Sequence, residues 1–137
     1  MDEQEEIIKI IVAHYPQVQG IYLFGSRATG EEWPTSDIDI ALLLPPLQSR
    51  HEPSSAIAAC GAALADCTRK EVDLVNVRQV STVFQKEIVT TGRVLYCGDR
   101  YALEEFEMLV LSYYQKLNEE RQELLADFLR DGRAYGV

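Results

Sequence analysis

Apolar positions along the chain change period several times, and each change marks an element. Ile7, Ile8, Ile11 and Tyr15 recur at helical spacing behind an acidic first turn, and Pro16 follows, so a helix is expected over 3–15. Gly20-Ile21-Tyr22-Leu23-Phe24 is a strand running into Gly25-Ser26, and residues 31–36, polar and broken by Pro34, form a loop. A second strand spans 37–44 and stops at Pro45-Pro46; residues 47–55 are expected as loop. An Ala-rich helix runs from about Ser55 to Thr68. Residues 71–77 alternate acidic and apolar side chains with period two, the pattern of a third strand. Ser81 is the expected N-cap of a helix through Val89, Gly92 its stop, and Arg93 to Cys97 a short fourth strand.

The last element is a helix over about 99–129, in which Phe106, Leu109, Val110, Tyr113, Tyr114, Leu117, Leu124, Leu125 and Phe128 share helical spacing. At about 45 Å, from 1.5 Å per residue, it exceeds the width of a small sheet. Its distal half is therefore expected to meet a partner, unless the polar 118–123 stretch bends or ends it. The order of elements predicts an α/β fold: a small mixed sheet of about four strands with flanking helices. The whole of 1–137 reads as a single domain.

Charge narrows the function. The formal net charge is -9 with no cluster of Lys or Arg, which disfavours direct binding of nucleic acid. Cys60, Cys67 and Cys97 are odd in number and form no Cys-x-x-Cys pair, against a disulfide framework or a zinc site. Cys60 and Cys67, seven apart on one helix, are both expected in the core. The acidic start after Met1 and the lack of a membrane-length apolar run predict no signal peptide, no membrane association and a cytoplasmic location.

Candidate chemistry lies at two strand ends. Asp37 and Asp39, at i and i+2 on a strand, project from one face while Ile38 and Ile40 point into the core. Two carboxylates so close repel unless a cation lies between them, and hard oxygen donors suit Mg²⁺, which is completed by substrate phosphates. Upstream, Gly25 permits a tight turn and close backbone approach, Ser26 can cap a short helix and hold a phosphate, and Arg27 adds a positive charge. Asp73 shares a face with Glu71 and Val75 on the third strand. If that strand lies beside 37–44, Asp73 reaches the same site as a third metal ligand and as the base for an acceptor hydroxyl, with Glu71 the competing acid. Two metal ions are then expected. A phosphate cradle beside such a site is what nucleotidyl transfer from a nucleoside triphosphate requires.

These residues resemble the DNA polymerase beta-like nucleotidyltransferase superfamily, whose signature is Gly-Ser, a spacer, then Asp-x-Asp. The segment Phe24-Gly25-Ser26-Arg27-Ala28-Thr29-Gly30 with Ser36-Asp37-Ile38-Asp39 is similar to its minimal nucleotidyltransferase (MNT) group. So are Val72-Asp73-Leu74-Val75 and Gly92-Arg93-Val94-Leu95-Tyr96. The resemblance covers nearly the whole chain. It implies the polymerase beta-like fold and Mg²⁺-dependent transfer of AMP from ATP to a tyrosine of a HEPN-domain ribonuclease toxin, with this chain the antitoxin bound to that toxin. Two alternatives are an adenylyltransferase for a small cationic drug such as an aminoglycoside, and an antitoxin acting by contact alone. Polymerases need further domains to hold primer and template, which leaves a protein acceptor, bringing its own surface, as the expectation for so short a chain.

Overall fold

A computed structural model of the chain describes residues 2–25 and 37–131. Helix α1 (Glu3–His14) begins at Asp2, whose carboxylate accepts the Glu5 N–H at 2.8 Å, and carries Glu3, Glu5 and Glu6 in its first turn. Strand β1 (Gly20–Phe24) and strand β2 (Ile38–Leu43) follow. Helix α2 (Pro46–His51) comes next, then α3 (Ser54–Thr68), β3 (Val72–Asn76) and a 3₁₀ turn, Val77–Gln79. Helix α4 (Thr82–Thr91) starts as expected at Ser81, whose hydroxyl accepts the Phe84 N–H at 3.2 Å. Strand β4 (Arg93–Cys97) and helix α5 (Arg100–Asp131) complete the chain.

One expectation fails in the connection after β2. Residues 46–51 are a helix and not loop. Pro46 stops the strand but sits in the first helical turn, where a missing N–H costs nothing because that donor has no intrahelical partner.

The sheet is mixed, in the order β3-β2-β1-β4. Strand β1 runs antiparallel to β2 and to β4, while β2 and β3 are parallel, joined by the α2–α3 crossover. Both faces are covered, so β1, and β2 from Ile40 onward, read as continuous apolar runs, and alternation is confined to the acidic start of β2. On one face Ile21, Leu23, Ile38, Ile40 and Leu42 pack with Ile7 and Ile11 of α1 and with Ile57, Cys60 and Leu64 of α3. On the other, Tyr22, Phe24, Ala41 and Leu43 pack with Ile88 of α4 and with Leu103, Phe106 and Val110 of α5. The Tyr22 hydroxyl donates to Glu107 at 2.7 Å from within this second cluster, and burial followed by that bond pushes its proton loss far above the usual range.

Cys67 departs from its expected place. Cys60 is fully buried, but Cys67 is exposed and its thiol donates to Glu6 at 3.1 Å. The buried stripe of α3 is Ile57, Cys60, Gly61 and Leu64; the next turn meets the acidic flank of α1.

Where β1 begins, polar side chains satisfy one another. Arg78 donates through Nε to the Leu44 carbonyl and through Nη2 to Gln19 Oε1, both at 2.6 Å, and lies 5.4 Å from the centre of the Phe106 ring. Beside it, buried Ser49 donates to Asn76 Oδ1 at 2.6 Å and accepts from Gln79 Nε2 at 3.2 Å. Asn76 Nδ2 returns a bond to the Ser49 carbonyl at 2.9 Å.

Helix α5 is unbroken through its polar middle. Its 32 residues span about 48 Å at 1.5 Å each. Only Leu103, Phe106 and Val110 are buried, all in the first third; Leu124 and Leu129 stand 69% and 72% exposed. Among the described residues no helix is long and apolar enough to cross a membrane.

Candidate active site

Three carboxylates meet at the end of the sheet where β1 stops. Phe24, the last residue of β1, is opposite Asp39 on β2, and Asp39 is opposite Asp73 on β3. Asp37 immediately precedes β2. The sheet thus brings together residues far apart in the chain through one antiparallel and one parallel pairing. Their shared face is the one covered by α4 and α5, just past the end of the apolar cluster.

Asp39 bears the strain of this arrangement. It is half-buried, and its carboxyl is held above the usual range, first by desolvation, then by the charges of Asp73 and Asp37. Asp37 and Asp73 are exposed. Glu71, the competing third acid, is exposed too; its carbonyl accepts the Ile38 N–H at 2.9 Å, and its charge is not among those acting on Asp39. Geometry therefore brings Asp73 to Asp39 in preference to Glu71.

Gly25 follows β1 with φ +71, a left-handed conformation that favours glycine. A Cβ at that position would collide with the Asp39 carboxylate, so the backbone passes directly against the acid. Ser26 and Arg27, the other expected phosphate contacts, lie outside the described residues. Phe84 of α4 meets Phe24 edge-on, with ring centres 5.6 Å apart, and braces the strand end from which Gly25 leaves. Sequence reasoning missed that contact, because apolar spacing places Phe84 on a buried helical face without saying which ring it meets.

Among the described residues no three His, Cys, Asp or Glu side chains form a ready-made metal cage. The donor set nonetheless suits Mg²⁺: its ligands are hard oxygens, it accepts as few as one or two carboxylates, and it takes the rest from water and substrate phosphate. A cation here would also offset the burial and the neighbouring charges that hold the Asp39 carboxyl above its usual range. Asp37, Asp39 and Asp73 are the groups that could hold it.

A cavity of about 710 Å³ borders this site and was not anticipated from sequence. All five residues of β3, Asp73 included, line one side of it; Ile57, Ala58 and Gly61 of α3 line another.

Comparison with known proteins agrees with this architecture. Residues 5–101 match the family described as polymerase beta, nucleotidyltransferase. The chain is 35% identical over 131 residues to the protein adenylyltransferase MntA of Shewanella oneidensis, covering 96% of this chain and 91% of that protein. It superimposes with a TM-score of 0.77 on a crystal structure of a toxin–antitoxin with AMP-PNP, at 35% identity, covering 92% of this chain and 98% of that one. A second solved structure holds the tri-AMPylated Shewanella oneidensis HEPN toxin in complex with MNT antitoxin. There the TM-score is 0.73 at 34% identity, over 93% of this chain and 96% of that one.

Proposed function

The chain belongs to the polymerase beta nucleotidyltransferase family, and from that premise we propose that it is a protein adenylyltransferase acting as the antitoxin of a HEPN ribonuclease toxin. It transfers AMP from ATP to a tyrosine hydroxyl of that toxin. The observation that carries the reading is the convergence of Asp37, Asp39 and Asp73 beside the left-handed Gly25. The names of its relatives supply the rest: a protein adenylyltransferase at 35% identity, and a HEPN toxin carrying AMP in the grip of an MNT antitoxin.

Each group has a role that its position supports. The close-lying backbone at Gly25 would receive the triphosphate, with Ser26 and Arg27 as the further contacts that the sequence alone suggests. Asp37 and Asp39 would hold Mg²⁺, and Asp73 would lie toward the acceptor. Mg²⁺, when bound, neutralises the charge that triphosphate and carboxylates bring together. The acceptor oxygen attacks the α-phosphorus of ATP, the bond from that phosphorus to the oxygen bridging to the β-phosphate breaks, and pyrophosphate leaves. Asp73 takes the proton from the acceptor hydroxyl. The exposed distal half of α5 offers Leu124, Leu125 and Leu129 to the partner, and the chain's negative charge suits a protein whose own task is to hold RNA.

The deciding experiment is the intact mass of the HEPN partner co-expressed with this chain. The expected result is a partner heavier by one or more AMP units, and an unmodified partner with Asp39→Asn. A partner silenced at unchanged mass would leave an antitoxin that works by contact alone.

A further inference from the structure

Strand β3 is the outer strand of the sheet on the side of the acids, paired on one edge only with β2. The Ile38 N–H bonds to the Glu71 carbonyl, so strand alternation turns the backbone groups of residues 71, 73 and 75 toward β2. Those of Val72, Leu74 and Asn76 point the other way, to the free edge. No backbone bond joins them to a neighbouring element among the described residues. Such an edge ordinarily invites pairing and is blunted by charge, proline or a covering element. Here α3 packs on the adjoining sheet face, Gly61 against Leu74, and the 710 Å³ cavity runs along the whole length of β3 beside the helix.

We propose that this groove is the docking site for the acceptor: an extended segment of the protein substrate adds to the free edge of β3 and brings its hydroxyl to Asp73. The inference rests on the protein-acceptor reading above and specifies where the acceptor lies. Three observations select a polypeptide. The outward amides and carbonyls of β3 repeat every second residue, a spacing that another backbone matches. Five residues of strand span about 16 Å, at 3.3 Å each, enough for a short segment to pair in register. The groove is also continuous with the chemistry, since Asp73 belongs both to its wall and to the carboxylate cluster. Its apolar wall of Ile57, Ala58 and Gly61 would receive alternate side chains of the added strand. With Glu52 and Asp73 facing a single Arg50, it favours a segment of neutral or positive charge.

Ala58 is exposed and lies on the groove wall, so Ala58→Trp fills the groove while leaving the core and the acids untouched. With the HEPN partner as acceptor, Ala58→Trp is expected to lower kcat/KM for AMP transfer by about tenfold or more, chiefly through KM, because it removes binding and not chemistry. Its Mg·ATP affinity, by calorimetry, stays at the wild-type value. In the wild-type complex, hydrogen exchange at the Leu74 and Asn76 amides slows by about tenfold or more relative to the free chain, as ladder hydrogen bonds require. Wild-type transfer by Ala58→Trp overturns the proposal, and so does unchanged exchange at those amides. An equal loss of ATP affinity would assign the cavity to the nucleotide and overturn it as well. If the wild-type chain binds its partner but transfers nothing, the adenylyltransferase reading falls, and the exchange measurement still decides the edge.

Discussion

Arg78, Gln19, Ser49, Asn76 and Gln79 close one end of the sheet by bonding to one another and to the Leu44 carbonyl. At the other end, one strand length away, Asp37, Asp39 and Asp73 face each other as like charges. Both ends are built on the same strands, and both place polar groups at the limit of the apolar core. The first is complete within the protein and contributes to holding it folded. The second opposes folding, since burial and then the charges of Asp73 and Asp37 make Asp39 harder to ionise, and persists because the strands beneath are fixed by Ile38, Ile40 and the cluster around Tyr22. A sheet can thus be stabilised at one end and held ready for charge at the other, with ligand binding recovering what the acids cost.

Substitutions should separate these two ends cleanly. The largest effect is expected from Asp37→Asn or Asp39→Asn, which should abolish Mg·ATP binding in calorimetry and reduce transfer by a factor on the order of 10³, the upper scale for loss of one charge-stabilising group. Either variant transferring at the wild-type rate would remove the acids from the chemistry. Asp73→Asn should cut the transfer rate by a factor on the order of 10² while holding Mg·ATP affinity within a few-fold, as for loss of a positioned base. A normal rate in that variant would return attention to Glu71. At the closed end, Arg78→Ala should cost about 2–3 kcal/mol in denaturant unfolding, because it leaves the Leu44 carbonyl and Gln19 without their charged donor. Transfer per folded molecule should stay unchanged; a lost rate with normal stability would mean that the two ends are coupled.

The smallest effect concerns pH. Because the folded chain holds the Asp39 proton more tightly than the unfolded chain does, it binds more protons between the usual carboxylate pKa and the raised one. Stability of the metal-free protein should therefore fall as pH rises through that window and stay lower above it. Asp39→Asn should flatten the fall and raise the neutral-pH melting temperature slightly. Melting curves with EDTA present test both, and an Asp39→Asn variant less stable than wild type at neutral pH would contradict this account of the site.

The acidic end of this contrast was legible in the sequence, for identifiable reasons, and the closed end was not, because hydrogen bonds between residues up to 59 positions apart leave no local pattern. Period-two alternation at Asp37-Ile38-Asp39-Ile40 and at Glu71 to Val77 placed the acids on strand faces, and Gly25 carried its turn in its own chemistry. Asp73 was preferred to Glu71 from the sequence already; that it lies opposite Asp39 is a matter of register, which a sequence without its pairing partner does not specify. Helix α2 escaped because Pro45-Pro46 signals a stop as strongly as a helical first turn. Cys67 escaped because spacing along a helix does not say how far along it the buried stripe extends. The groove along β3 is a space between elements, and no residue pattern encodes a space.

From the mixed pairing of the sheet an order of assembly is expected. Strands β1 and β2 are antiparallel neighbours with no other described strand between them in the chain, so Phe24 and Asp39 can meet through a single loop closure. Asp73 arrives only when the α2–α3 crossover has folded and β3 has docked parallel to β2, a longer closure and a slower kind of contact. The repulsion from Asp37 is already present once β1 and β2 have paired, whereas that between Asp73 and Asp39 should therefore weigh on the late docking of β3. In kinetic terms, relieving that repulsion should act mainly on steps after the hairpin has formed. The metal-free chain should fray first at the same strand whose edge is offered to an acceptor.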